Sequence, residues 1–233
     1  MPCRVAVDFG TSNTVLACWD YSLGSARVLE ILRWSRPCRD GQGSMAQIPS
    51  LIHYGESGTR WIGQQVNDLD LLDSPGTVRW MKHYISTRSP VRVPLPGGSR
   101  SYMEAGADFL GAVLSTLPEA AGDGEIEAVF PVPVESFEHY QDWVISLAGS
   151  AGIGKVRVVD EATAAAVASG IALGPGEVFM LFDMGGGTLD VSVVRLDEME
   201  PGQGRRCRVL GKAGEDLGGM RMDQWIFEDI CER

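Results

Sequence analysis

In the run Leu181-Phe182-Asp183-Met184-Gly185-Gly186-Gly187-Thr188-Leu189-Asp190-Val191, two carboxylates, three consecutive glycines and a hydroxyl stand between two strand-like apolar stretches. The chemistry such a segment offers is the holding of phosphate. Three glycines let the backbone approach an anion closely and point several N–H groups at it, which a side chain at any of those positions would obstruct. Asp183 and Asp190 supply hard oxygen donors of the kind a divalent cation takes. A plain tight hairpin needs one or two glycines and no flanking carboxylates.

A second copy lies near the start of the chain. Val5-Ala6-Val7-Asp8-Phe9-Gly10-Thr11-Ser12-Asn13-Thr14-Val15-Leu16-Ala17 repeats the order of strand, acid, glycine with hydroxyls, and strand. Two such hairpins in one chain imply one shared ligand. Asp8 to Asn13 and Asp183 to Asp190 resemble the two phosphate motifs of the actin, hexokinase and seventy-kilodalton heat-shock chaperone superfamily of ATPases, and the chaperone branch fits best.

Three further segments carry the resemblance. Val158-Val159-Asp160-Glu161-Ala162-Thr163-Ala164-Ala165-Ala166 resembles the connecting segment of those chaperones. On residue type alone, Asp160 is a natural N-cap and Glu161 a favourable first-turn charge at the positive end of the helix dipole. The resemblance gives Glu161 the added role of polarising an attacking water, with Ala162 where the family has proline. Thr77-Val78-Arg79-Trp80-Met81-Lys82-His83-Tyr84-Ile85 resembles the segment whose lysine reaches the terminal phosphate. Lys82 is one of three lysines in the chain. By type alone it reads as a solvated residue on an amphipathic helix, whereas an ammonium near a transferred phosphoryl group can neutralise its developing charge. Ile126 to Pro133 resembles the strand ending in the family's proline switch, with Val134-Glu135-Ser136-Phe137 one residue longer. Gly211 to Gly219 resembles the strand and loop that follow the second phosphate motif, one residue shorter at Gly214. Tyr140 or Gln141 stands where the family has an interdomain arginine.

What the resemblance implies is an α/β protein of the actin-like ATPase (ribonuclease H-like) fold, with mixed sheets and flanking helices. Residues 1–174 would form a complete first lobe with an inserted subdomain at about 40–100, and 175–233 a partial second lobe lacking the glycine-rich adenosine-contacting segment. The implied ligands are ATP or ADP with Mg²⁺. Asp8, Asp183 and Asp190 would organise the metal largely through water. Gly10, Thr11, Ser12, Asn13, Gly185, Gly186 and Gly187 would hold the phosphates, and Lys82, Glu161 and Thr188 would promote hydrolysis. Cochaperones and a peptide-binding domain outside this chain are the implied protein partners. The alternatives are a truncated or degenerate nucleotide-sensing module without hydrolysis, a small-molecule kinase, or a filament protein of the same fold.

Composition bounds the rest. A chain of 233 residues with 44% hydrophobic content can bury about 70–75% of its unfolded surface, enough for one large or two small cores. No stretch approaches the roughly 20 apolar residues that span a bilayer, and Met-Pro-Cys-Arg leading into a strand is not a signal peptide, so a cytoplasmic chain is expected. Residues 1–103 carry 11 basic and 8 acidic side chains, whereas 104–233 carry 9 and 23, for a net charge of −11. That balance argues against nucleic acid as a partner. Five scattered cysteines without a Cys-x-x-Cys pair suggest neither a disulfide framework nor a zinc site. Gly149-Ser150-Ala151-Gly152-Ile153-Gly154-Lys155 imitates a P-loop but ends in Val156 rather than Ser or Thr. It also leads from a helix into a strand, the reverse of the P-loop order.

The periodicities predict strands over Arg4 to Trp19 as a hairpin, Arg27 to Arg33, Ile48 to Tyr54, Arg60 to Ile62, Ile126 to Val132 and Val156 to Val159. A further series is expected at Val178 to Asp183, Leu189 to Leu196 and Arg206 to Gly211. Helices are expected over Tyr102 to Leu117, Phe137 to Leu147 and from about Arg221. The proline-rich stretch Ser89 to Gly98 reads as an irregular excursion or edge strand.

Overall fold

The computed structural model describes residues 2–40, 43–118, 124–133, 138–168, 176–196, 207–215 and 217–232. Phe137, the segment 134–136 beside the expected switch, the expected lobe boundary at 174 and the first residue of the expected strand at Arg206 lie outside them. The chain divides into two compact units, Met1–Phe130 with Phe137–Arg157 and Pro131–Ser136 with Val158–Arg233.

The first unit begins with β1 (Cys3–Phe9), β2 (Asn13–Asp20), β3 (Ser25–Val28), β4 (Arg36–Asp40) and β5 (Gly43–Pro49). There follow β6 (Ile52–Tyr54), β7 (Arg60–Ile62), α1 (Gln64–Asp68), β8 (Thr77–Val78), α2 (Met81–Ser86), β9 (Arg92–Leu95), β10 (Gly98–Ser101) and α3 (Tyr102–Leu114). The last elements are β11 (Ile126–Val132), which passes into the second unit after Phe130, α4 (Glu138–Ser150), and β12 (Lys155–Asp160), which does so after Arg157. The main sheet has the order β12-β11-β1-β2-β5-β4, with β3 also on β2. β1 is parallel to β11 and antiparallel to β2.

Alternation in β1 sends Val5, Val7 and Phe9 to one buried face, where α3 contributes Phe109, Leu110 and Val113 and α4 contributes Tyr140 and Val144. The Phe9 ring lies 5.9 Å from Phe109 and 6.1 Å from Trp143, centroid to centroid. A fully buried aromatic of this kind contributes roughly 1.5–3 kcal/mol, and this one sits immediately before Gly10, so the end of β1 is fixed by the core. On the other face of the sheet a cavity of about 580 Å³ is lined by Ala6, Ala17, Trp19, Val129 and Arg157 among others. It contains none of the candidate site residues.

The segment between β5 and α3 makes a three-stranded sheet, β7-β6-β8, and the ribbon β9-β10. The proline-rich stretch is thus an edge strand: Pro94 pairs with Ser99 in a ribbon of only two strands, where a missing N–H is tolerated. Asp108 on α3 fastens this segment, accepting from Tyr54 Oη at 2.8 Å and pairing with Arg60 at 3.0 Å and Arg100 at 3.3 Å. α3 opens with a capping box, Ser101 Oγ accepting from the Glu104 amide and the Glu104 carboxylate from the Ser101 amide.

The second unit carries α5 (Glu161–Ala168), β13 (Val178–Met184), β14 (Leu189–Leu196), β15 (Cys207–Glu215) and α6 (Gly219–Glu232), the strands forming an antiparallel meander. β15 runs four residues beyond the expected Gly211, because its pairing with β14 resumes at Gly211 opposite Val193 after a bulge and continues to Glu215 opposite Leu189. α5 packs on all three strands. No helix among the described residues is long and apolar enough to cross a membrane.

His53 on β6 is 7% exposed, its Nδ1 is 2.8 Å from Thr77 Oγ1, and burial holds its pKa below the ordinary imidazole value. The unfolded chain therefore binds a proton that the folded one resists, so folding weakens as pH falls below about 6.5. Thermal melts between pH 7.5 and 5 are expected to show this loss, and His53→Asn to show less of it.

Candidate functional site

Both glycine hairpins close with the same hydrogen bond. The Gly10 amide donates to the Asn13 carbonyl at 3.0 Å, and the Gly185 amide donates to the Thr188 carbonyl at 2.9 Å. Counting from that glycine makes Asp8 and Asp183 counterparts, two residues upstream in each strand. Opposite them stand Val15 and Asp190 respectively, so the second hairpin carries two carboxylates where the first carries one. Gly10 is needed for close approach: a Cβ there would lie 2.4 Å from the Asn13 oxygen.

Ser50, which follows β5, holds the first turn. Its hydroxyl donates to the Gly10 carbonyl at 2.8 Å and its amide to the Ser12 carbonyl at 2.9 Å. A trans peptide sets each C=O antiparallel to the next N–H. Drawing the Gly10 and Ser12 carbonyls toward Ser50 therefore turns the Thr11 and Asn13 amides the other way, the orientation an anion needs. Ser50 Oγ also lies 3.0 Å from Thr14 Oγ1 in the buried layer beneath the turn. Asp8 is exposed at the end of β1.

In the second hairpin Asp183 pairs directly with Asp190 across the strands, placing both carboxylates on one face, and Thr188 Oγ1 donates to Asp190 Oδ2 at 2.9 Å. The same face of β14 buries Asp190, Ser192 and Val194. Directly opposed like charges are destabilising, so the pair favours a cation. Two carboxylates suit hydrated Mg²⁺, which takes one or two such ligands and keeps several waters. Among the described residues no group of three or more His, Cys, Asp or Glu could hold a metal by itself.

Glu161 is the first residue of α5, the helix packed on this sheet. Lys82 is the second residue of α2 and only 7% exposed, which removes the reading of a solvated surface lysine. The residue before the helix, Trp80, holds a left-handed backbone (φ 60°), with the Arg79 guanidinium 4.2 Å from its ring centre. The structure thus gathers Asp8, Gly10, Thr11, Ser12 and Asn13 in one hairpin of the first unit, which also carries Lys82. It gathers Asp183, Gly185, Gly186, Gly187, Thr188 and Asp190 in one hairpin of the second, which also carries Glu161. The P-loop imitation joins α4 to β12, as its order in the sequence requires. Ser50 and Trp80 escaped the sequence reading. Ser50 left no local signal, because its partners are about 40 residues away.

A family model described as Hsp70 protein matches residues 88–233. The chain belongs to the Hsp70 family. Its described mixed sheets and flanking helices are those of the actin-like ATPase fold that this family shares. Among curated proteins, this Hsp70-family chain is similar to the chaperone protein HscA homolog of Herminiimonas arsenicoxydans, 28% identical over 98% of the chain and 37% of that protein. It is similarly related to the HscA homologs of Janthinobacterium sp. (strain Marseille), 28% identical over 96% and 37%, and of Burkholderia mallei (strain SAVP1), 26% over 97% and 36%. The chain spans a little over one third of the length of these relatives.

Two outcomes follow from the geometry. Ser50→Ala leaves the Thr14 hydroxyl and the Gly10 carbonyl without this partner, and urea unfolding is expected to show a loss of about 1–3 kcal/mol, partly recovered by adding Thr14→Val. Asp183→Asn relieves the cross-strand repulsion, so in metal-free buffer the variant should be more stable than the parent by about 0.2–1 kcal/mol.

Proposed function

We propose that this chain binds ATP and ADP and hydrolyses ATP as the nucleotide-binding part of an Hsp70-type chaperone. The observation that carries the reading is the pair of hairpins with one closing hydrogen bond and an aspartate at the same position. Backbone amides of Thr11, Ser12, Asn13, Gly186 and Gly187 would hold phosphate oxygens, while Gly10 and Gly185, whose own amides close the turns, would keep side-chain bulk away from them. Asp8, Asp183 and Asp190 would hold Mg²⁺ largely through its waters. When bound, that ion supplies neutralisation of phosphate charge that these acidic hairpins lack.

Phosphoryl transfer asks little covalent chemistry of a protein and much positioning. Lys82 would place a compact positive charge beside the transferring group, its burial limiting the freedom of the ammonium. Glu161 would orient the attacking water, and Thr188, whose hydroxyl proton points at Asp190 here, would turn that proton to the phosphates. The similarity to HscA homologs supports a chaperone rather than a kinase, with cochaperones and a peptide-binding domain as partners and the cytoplasm as the setting.

Calorimetric titration with ATP and ADP, with and without Mg²⁺, tests binding, and phosphate release tests turnover. Mg²⁺-dependent binding is expected, with turnover reduced by at least about 100-fold in Asp8→Asn and Lys82→Ala, the scale on which losing one electrostatic stabiliser acts. Turnover unchanged in both variants overturns the assignment.

A further inference from the structure

The segment that opens α6 lies against the second glycine turn, and its contacts are made by backbone. The Gly219 amide donates to the Gly185 carbonyl at 3.1 Å and the Met220 amide to the Gly186 carbonyl at 2.9 Å. These are amides of the first helical turn, which have no partner inside a helix. The Gly218 carbonyl meanwhile accepts from the Arg221 and Met222 amides at 3.0 and 3.2 Å and so starts the helix. Gly218 is buried. A Cβ on it would lie 2.6 Å from the Gly187 carbonyl carbon and 2.7 Å from both the Gly186 carbonyl carbon and the Gly187 nitrogen. Those atoms are backbone, which cannot swing aside as a side-chain tip can. A Cβ on Gly219 would come no closer than 3.9 Å to anything beyond its own helix and chain neighbours.

We infer that Gly218 is a positioning residue for the phosphate turn, permitting the start of α6 to grip the carbonyls of Gly185 and Gly186 and thereby aim the amides of Gly186 and Gly187 at an anion. The aiming follows from peptide planarity: each carbonyl held by α6 forces the following N–H to the opposite side. The role rests on the proposed binding of phosphate by this turn. It extends that reading to a residue outside the turn, 31 positions beyond Gly187.

The test compares Gly218→Ala with Gly219→Ala and Gly211→Ala in the whole chain, by MgATP titration and by amide hydrogen exchange. Gly218→Ala is expected to weaken MgATP binding at least tenfold and to speed exchange of the Gly219 and Met220 amides at least tenfold, with amides of the β13–β14 ladder unchanged. The two control variants should stay within about twofold of the parent. Should Gly218→Ala fail to fold, Gly219→Pro supplies a second route, since proline is tolerated at the first helical position yet removes the donor to the Gly185 carbonyl. It should weaken binding at least threefold where Gly219→Ala does not. Parental affinity in Gly218→Ala, or unchanged Gly219 and Met220 exchange, overturns the inference. A parent chain that does not bind MgATP overturns the proposed function instead, and the exchange measurement still decides whether Gly218 holds the turn.

Discussion

What a glycine turn can offer an anion depends on which way its peptide groups face, and glycine itself imposes no orientation. The orientation here comes from hydrogen bonds to the turn carbonyls. In the first hairpin Ser50 holds the carbonyls of Gly10 and Ser12, and in the second the start of α6 holds those of Gly185 and Gly186. The rest of each unit can be understood as placing those donors. β2 and β5 meet at Asn13–Pro49 and Thr14–Ile48, delivering Ser50 to the turn, while β15 pairs along the whole of β14 and returns the chain to the glycines of the second.

The acidic residues impose a complementary constraint. Asp183 opposite Asp190 is an arrangement a sheet would avoid if stability alone governed the choice, since valine or threonine would pair better at such a site. Thr188 offsets part of the cost by donating to Asp190. Lys82 carries its ammonium into a buried position, where lysine is found only with a partner for its charge. The opposed aspartates and the buried lysine are among the residues that a nucleotide site would use.

Much of this was legible in the sequence, and the limits have physical causes. Strands β7, β11 and β14 match their expected spans because apolar runs bounded by turn residues specify them locally. β3 ends at Val28 rather than Arg33, since after Leu29 the chain turns and its amides bond locally, Trp34 and Ser35 both donating to the Ile31 carbonyl. The helix over Tyr102 stops at Leu114, and Ser115 and Thr116 make a turn before helical backbone resumes at the buried Leu117. Apolar periodicity reports burial, and burial does not require that the helix continue. The glycines and aspartates of the two turns announce themselves by type and spacing. Ser50 does not, because a serine that holds a distant carbonyl has the same local surroundings as one that holds nothing.

The two turns also differ in what holds them, with consequences for how each tolerates change. Ser50 grips the first turn partly through a side chain, so a single substitution removes one bond and leaves the backbone path intact. The second turn is gripped by main-chain amides, which no substitution short of proline deletes. Its vulnerability lies in distance: the peptide between Gly186 and Gly187 lies so close to Gly218 that one added methyl group must displace one segment or the other. A turn with no side chains of its own is therefore held by a neighbour that must also lack one. The three glycines of the second hairpin and the glycine that follows β15 thus form a single steric requirement, written in two places along the chain.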